Sequence, residues 1–387
     1  MMKTDEAFRT AYQALIEQMP DPPSFASLTA MRGGPDGQPT RRSGLRLALI
    51  AAVMILVIVG GWAVLVRDWG ESGQGGLTGD APTRLRATYG ATVDVPAGVV
   101  DLLGEGTSIW VSGFGSVTRL DALTGEEVAA IETPRTDDWS GLAFGEGSVW
   151  ATGTGGELYR IDPVTNRVVA NIEVPGSVMD VAVGGGSVWV TRPSEFGEIY
   201  RIDPMTNAIV GEPIEVGPGP GPISTGLGSV WVTDTSPPAL VRFDPDTGEL
   251  SKVDVDNLAV GAVVVSHGSI WVPAEGGVVR IDPGSGQTIA TIRVPRVAKI
   301  TSGDGLIWVL ASPESRSSGV YNPIDGTAAL WAIDPETNSI LGPPVLFGGL
   351  QPIAIASTDG AIWIGDYSGL EVRRFDLIPC AEPTCES

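Results

Sequence analysis

Val178 to Val216 reads VMDVAVGGGSVWVTRPSEFGEIYRIDPMTNAIVGEPIEV. Four apolar stretches alternate in it with turn residues: VMDVAV, SVWVT, EIYRID and AIVGEPIEV. Gly184 to Gly186 join the first two as a tight hairpin, because glycine accepts the positive φ that a two-residue turn demands. Asp203, Pro204, Thr206 and Asn207 build the turn between the last two. An Asp carboxylate accepts a backbone N–H two residues on, Pro fixes φ at the second turn position, and Asn or Gly supplies left-handed backbone. The stretch is therefore four short antiparallel β-strands, and four strands in about 40 residues is the period of a propeller blade.

The unit recurs along the chain. Its second strand carries a tryptophan seven times, at Trp110, Trp150, Trp189, Trp231, Trp271, Trp308 and Trp363, with spacings of 40, 39, 42, 40, 37 and 55 residues. Its turn aspartate recurs at Asp121, Asp162, Asp203, Asp244, Asp282, Asp334 and Asp376. The tryptophans read as core residues between blades, since an indole buries on the order of 200 Å². The aspartates read as turn builders rather than a calcium array, because each belongs to its own turn on a different blade. After Asp376 too little chain remains for a fourth strand. ATVDVP (Ala91–Pro96) matches the fourth strands ANIEVP (Ala170–Pro175) and ATIRVP (Ala290–Pro295). It is therefore expected to complete the last blade, closing the ring and leaving no free edge. The fold expected is an all-β, seven-bladed β-propeller over residues 91–379.

The pattern G-S-V-W-V-T, Y-R-I-D-P-x-T-N, V-A-x-I-x-V-P resembles the YVTN-repeat propellers, including YncE-type proteins, across residues 91–379. Streptogramin lyases and NHL-repeat proteins have related propellers. The resemblance implies a binding or interaction platform, with scattered enzymes among its relatives. A quinone cofactor, which other propellers of this general shape carry, is not expected, since the repeats lack the Trp after the Asp-x-x-Thr-Gly turn that quinoprotein blades have.

Upstream, Leu47 to Val66 is an uncharged run of 20 residues, LALIAAVMILVIVGGWAVLV. At 1.5 Å per residue that is about 30 Å, the thickness of a bilayer core. It lies too far from the N-terminus, and is too long, for a cleaved signal peptide. Arg41, Arg42 and Arg46 precede the span, whereas Asp68 and Glu71 follow it. Positive flanks stay in the cytoplasm, so the expected protein is a single-pass bacterial cell-membrane protein with residues 1–46 inside and the propeller outside. Residues 67–90 form the outer linker. Residues 5–19 form a short amphipathic helix capped by Thr4, with Phe8, Tyr12, Leu15, Ile16 and Met19 on one face and the stretch Pro20–Pro23 ending it. That helix is a candidate dock for a cytoplasmic partner.

Charge and composition narrow the function. The chain carries 24 Lys and Arg against 46 Asp and Glu. Residues 1–46 hold 6 of the basic and 5 of the acidic groups, so the acidity belongs to the exported part. Nucleic acid is excluded as a partner, because phosphate binding requires clustered Lys and Arg. The single histidine, His267, rules out a His-rich metal site. It sits in the hairpin turn of VVVSHGSIW, where other blades hold Glu146, Gly185, Leu227, Asp304 and Asp359. The resemblance to streptogramin lyases would make His267 catalytic, with Glu275 the nearest downstream acid and Mg²⁺ the metal. Outside that alternative no cofactor is expected. Cys380 and Cys385 close the chain in CAEPTCES and, on the oxidising side, are expected to form a local disulfide.

An extracytoplasmic ligand or protein would meet the loops that depart from the repeat. These lie on the face that collects the connections between blades and between second and third strands. The candidates are Asp137, Asp138 and Trp139 between blades 1 and 2, Arg192, Glu195 and Phe196 in blade 3, and Arg296 and Lys299 before blade 6. The long insertion Pro313–Ala328 adds Arg316 and Tyr321, and blade 7 adds Tyr367. Aromatic rings mixed with charge are what a recognition surface uses.

Overall fold

The repeated tryptophans are the packing centres of the molecule. In a computed structural model each is at most 2% exposed. The structure describes residues 84–134, 141–255, 258–259, 261–311, 327–348, 351–366 and 370–380. Among them are seven antiparallel sheets arranged as a seven-bladed propeller. Blade 1 starts with the inner strand Asp101–Glu105, followed by Ser108–Gly113, Ser116–Asp121 and the outer strand Glu127–Glu132. The inner strands of blades 2 to 7 are Leu142–Gly145, Val181–Gly184, Pro220–Gly226, Val264–Ser266, Val297–Gly303 and Pro352–Thr358. Leu47–Val66 and the amphipathic segment 5–19 lie outside the described residues. Among those described, no helix is long and apolar enough to cross a membrane.

Closure follows the expected route. The chain's first strand, Arg84–Asp94, runs antiparallel to the last, Glu371–Cys380, from Arg84 opposite Cys380 to Asp94 opposite Glu371. It begins seven residues before Ala91, so part of the expected linker is strand, and a bulge at Gly90 keeps the longer pairing in step. Gly90 leaves room there for Asp376: a Cβ on it would lie 2.7 Å from Asp376 Oδ2, so the carboxylate would have to shift. The outer strands of blades 3 and 6 are each split in two, Ala208–Ile209 with Ile214–Glu215 and Ser339–Ile340 with Val345–Gly348. The cause is local. Gly211 and Gly342 take φ of 74° and 69°, and Pro213, Pro343 and Pro344 have no N–H to give the ladder.

Neighbouring blades are joined by a repeated arginine. In strand register Arg119 faces Trp110, Arg160 faces Trp150, Arg201 faces Trp189, Arg242 faces Trp231, Arg280 faces Trp271 and Arg374 faces Trp363. Each guanidinium lies over its indole, 5.0 to 6.0 Å from the ring centroid. Arg160 Nε donates to Ser148 Oγ at 2.8 Å. Its Nη1 crosses to the next blade's turn, donating to Pro204 O and to Asn207 Oδ1. Arg119 reaches Pro163 O and Asn166 Oδ1 in the same way, and Arg280 reaches Pro335 O and Asn338 Oδ1. The turn asparagines thus do two jobs. They take φ of 54° to 56°, and their side chains accept the neighbour's guanidinium.

The joint between blades 6 and 7 is built differently. Leu306 and Ala332 stand where blades 1 to 5 have the serine and the arginine; blade 7 keeps the arginine, Arg374, but has Ala361 at the serine position. Blade 7 has no Asp-Pro turn to receive an arginine, because its outer strand comes from the start of the chain. Leu306, Trp308 and Ala332 pack instead with Ile355, Ile362, Phe375 and Ala87. An arginine there would carry a charge into an apolar cluster with no turn carbonyl to receive it, which costs more than it gains.

Candidate functional site

Each inner strand begins at the face that carries the connections between blades, here the loop face, and ends at the opposite hairpin face. The residue nine before each repeated Trp marks the start of that strand at the central channel. Around the ring it is Asp101, Gly141, Asp180, Pro222, Ala262, Lys299 and Ala354. Three of the seven are charged, and they come from blades 1, 3 and 6.

Asp101 and Asp180 are half-buried and firmly held. Asp101 Oδ2 accepts the Leu142 N–H of blade 2 at 3.0 Å. Asp180 Oδ1 accepts the Val181 N–H at 2.8 Å, and Oδ2 accepts the Ile223 N–H of blade 4 at 3.0 Å. Their own N–H groups donate to Ser112 Oγ and Thr191 Oγ1 on the second strands. The glycine of blade 2 brings the carboxylates together. A Cβ on Gly141 would lie 2.1 Å from Asp180 Oδ1, so only glycine lets Asp180 lean over this strand, beside the peptide that Asp101 holds.

Electrostatics set the pair apart from the rest of the acidic surface. Burial pushes the Asp101 carboxyl above its ordinary range, opposed by Lys299 and by the N–H groups of Leu142 and Leu102. Burial, and after it the charge of Asp101, push Asp180 up to about 6, opposed by the Ile223 and Val181 N–H groups and by Lys299. Lys299 acts on both carboxylates through space, outside ion-pair distance of either. The turn aspartates behave in the opposite sense. Asp162 and Asp203 are held below the ordinary range, first by the backbone N–H groups of Val164 and Met205.

A second polar group lies at the rim of blade 3. Arg192 is ion-paired to Glu198 and donates to Tyr200 Oη at 3.3 Å, and Ser194 Oγ donates to the same Glu198 carboxylate at 3.1 Å. Beside it Phe196 is 58% exposed and Glu195 is exposed. The adjoining Gly-Pro loop, Gly217–Pro222, closes on the buried Asp234. Asp234 Oδ1 accepts the N–H groups of Gly219 and Ser236, while Lys252 Nζ stands 3.8 Å from Oδ2.

Arg192, Glu195 and Phe196 therefore cluster in blade 3. Lys299 is separate, on the inner strand of blade 6, and Arg296 is exposed in the connection before it. Asp137, Asp138, Trp139, Arg316, Tyr321, Tyr367 and Cys385 lie outside the described residues. Asp101 and Asp180 were not singled out from the sequence. The signal that finds them is the ring position, which requires counting back from every tryptophan rather than scanning for motifs.

His267 and Glu275 stand beyond opposite ends of the strand Ser269–Ala274, whose six residues span roughly 20 Å at about 3.3 Å per residue. His267 is exposed in a hairpin turn with φ 50°, and its Nδ1 is 2.9 Å from Ser266 Oγ. Glu146, Leu227 and Asp304 share that turn position and that backbone, at φ 51° to 54°, each followed by a glycine. The position is set by turn geometry. On the same face a shallow cavity of about 210 Å³ lies between blades 1, 6 and 7, lined by Gly104, Ser302, Asp304, Ser357 and Thr358. Asp304 is already engaged there with the Gly360 N–H and Ser357 Oγ. Among the described residues, no three His, Cys, Asp or Glu side chains gather as metal ligands.

No protein-family model and no curated protein matches this chain.

Proposed function

We propose that this chain is a single-pass membrane protein that presents a ligand- or protein-binding propeller outside the cytoplasmic membrane, with the loop face as its binding face. The observation that carries the binding assignment is the ring of Asp101, Asp180 and Lys299 at the channel mouth. Stability alone does not call for two half-buried acids leaning together and a lysine that acts on both and has no ion pair among the described residues. The exposed Phe196 beside Glu195 widens the same face. The anchor rests on the apolar run Leu47–Val66 and its arginine flank. In this arrangement residues 5–19 are free to meet a cytoplasmic partner.

The test places a photo-crosslinking side chain in the full-length protein in intact cells, either at Phe196 on the loop face or at Val164 on the hairpin face, which is 86% exposed. Adducts from position 196 and none from 164 are expected. Equal yields, or adducts from 164 alone, overturn the loop-face assignment. A cysteine at position 164 should react with a membrane-impermeant thiol reagent in intact cells. Protection until lysis overturns the extracytoplasmic placement.

A further inference from the structure

The three charged ring positions are arranged as a dipole. In a ring of seven, blade 6 stands opposite the boundary between blades 2 and 3. The carboxylates of Asp101 and Asp180 flank Gly141 and Leu142 of blade 2. Lys299 belongs to blade 6, and its ring neighbours in blades 5 and 7 are Ala262 and Ala354, which bring only methyl groups. One side of the mouth is therefore acidic, the other cationic, and the residues beside the lysine are small.

Holding inner-strand N–H groups accounts for part of the acidic side and none of the cationic side. A carboxylate offers about four acceptor sites. Asp180 spends two on Val181 and Ile223, so both acids keep acceptor capacity for a further donor. Two desolvated carboxylates that repel one another gain most from a cation brought between them. Lys299, with no ion pair among the described residues, gains most from an anion.

We infer that the channel mouth binds a small zwitterion, a solute carrying a primary ammonium and a carboxylate at its two ends, with the ammonium on Asp101 and Asp180 and the carboxylate on Lys299. This rests on the loop face being the binding face and names the ligand class that it takes. Binding also moves a proton. Asp180 is about half protonated near pH 6, and Asp101 and Lys299 are the charged groups acting on it. An arriving ammonium favours the carboxylate, so the Asp180 proton passes to the buffer.

The probes are 5-aminopentanoate, pentylamine and pentanoate, titrated calorimetrically into the full-length protein in detergent. The aminopentanoate is expected to bind about tenfold or more tightly than either one-ended probe, the gain that one charge-assisted contact gives. Lys299→Met should reduce its affinity to that of pentylamine, while Lys299→Arg should retain most of it. At pH 6 the heat should depend on the buffer's ionisation enthalpy, and Asp180→Asn should abolish that dependence. Equal affinity for aminopentanoate and pentylamine, or unchanged binding in Lys299→Met, overturns the inference. Crosslinking from position 196 without aminopentanoate binding overturns the ligand class and leaves the loop face standing, whereas loss of both overturns both.

Discussion

The two faces of the propeller are written in different ways. At the hairpin face the blades nearly repeat one another: a tryptophan indole under an arginine, a serine at the arginine's Nε, and the next blade's turn at its Nη1. At the loop face the seven equivalent ring positions hold five residue types, and the three charged ones all act on one another. The difference teaches that the repeat carries stability, whereas departures from it carry recognition. The joint between blades 6 and 7 sharpens the point. There the repeat breaks at the hairpin face too, and the serine, the arginine and the receiving turn are all replaced together.

The comparison breaks if a repeated residue proves dispensable or a ring residue proves structural. The largest effect is expected from Trp271→Ala, which empties a site 0% exposed and should cost about 3–5 kcal/mol in denaturant unfolding. Arg160→Ala should follow at about 1–3 kcal/mol, since it strips the partners from Ser148, Pro204 and Asn207. Ala332→Arg, which restores the repeat's residue in blade 6, should destabilise rather than help.

Asp180 gives a smaller effect with a diagnostic pH dependence. Its carboxyl is raised in the folded protein from 3.8 to about 6. The protonated acid therefore favours folding at low pH, and that contribution is lost as pH rises through about 6. Stability should fall between pH 4 and 6 by about 1–2 kcal/mol, after allowance for water at the mouth. Asp180→Asn should flatten this fall. Lys299→Met should move it to higher pH, because the lysine holds the carboxyl down. Thermal unfolding across the pH series separates the two outcomes. The smallest effect belongs to His267→Gly, which relieves a left-handed backbone at φ 50° and should stabilise by less than about 1 kcal/mol.

Most of the ring was legible because its signals are local. A strand of alternating apolar residues, a glycine hairpin and an Asp-Pro turn each declare themselves within ten residues, and repetition turns weak signals into a period. Closure was legible because Ala91–Pro96 resembles the outer strands it replaces. The arginine clasp was not, although Arg and Ser stood in the quoted motif. Its partners are in the next blade, about 44 residues away in sequence, beyond the reach of any local pattern. The acids at the mouth were hidden for the same reason. Asp101 and Asp180 belong to different blades, and what pairs them is the missing side chain of Gly141. Lys299 was found because a cation beside the loops that depart from the repeat is conspicuous by itself.

The closing strand also sets the order in which the molecule is made. Arg84–Asp94 leaves the ribosome long before Glu371–Cys380, its only strand partner in the sheet. Until Glu371–Cys380 emerges, the growing chain has one unpaired edge at Arg84–Asp94 and another at Ala361–Asp366, the form most exposed to pairing with another copy. A premature stop at Glu371 therefore does more than remove one strand. It fixes the ring in its unfinished state, and the damage should appear as aggregation of the truncated chain out of proportion to the few residues lost.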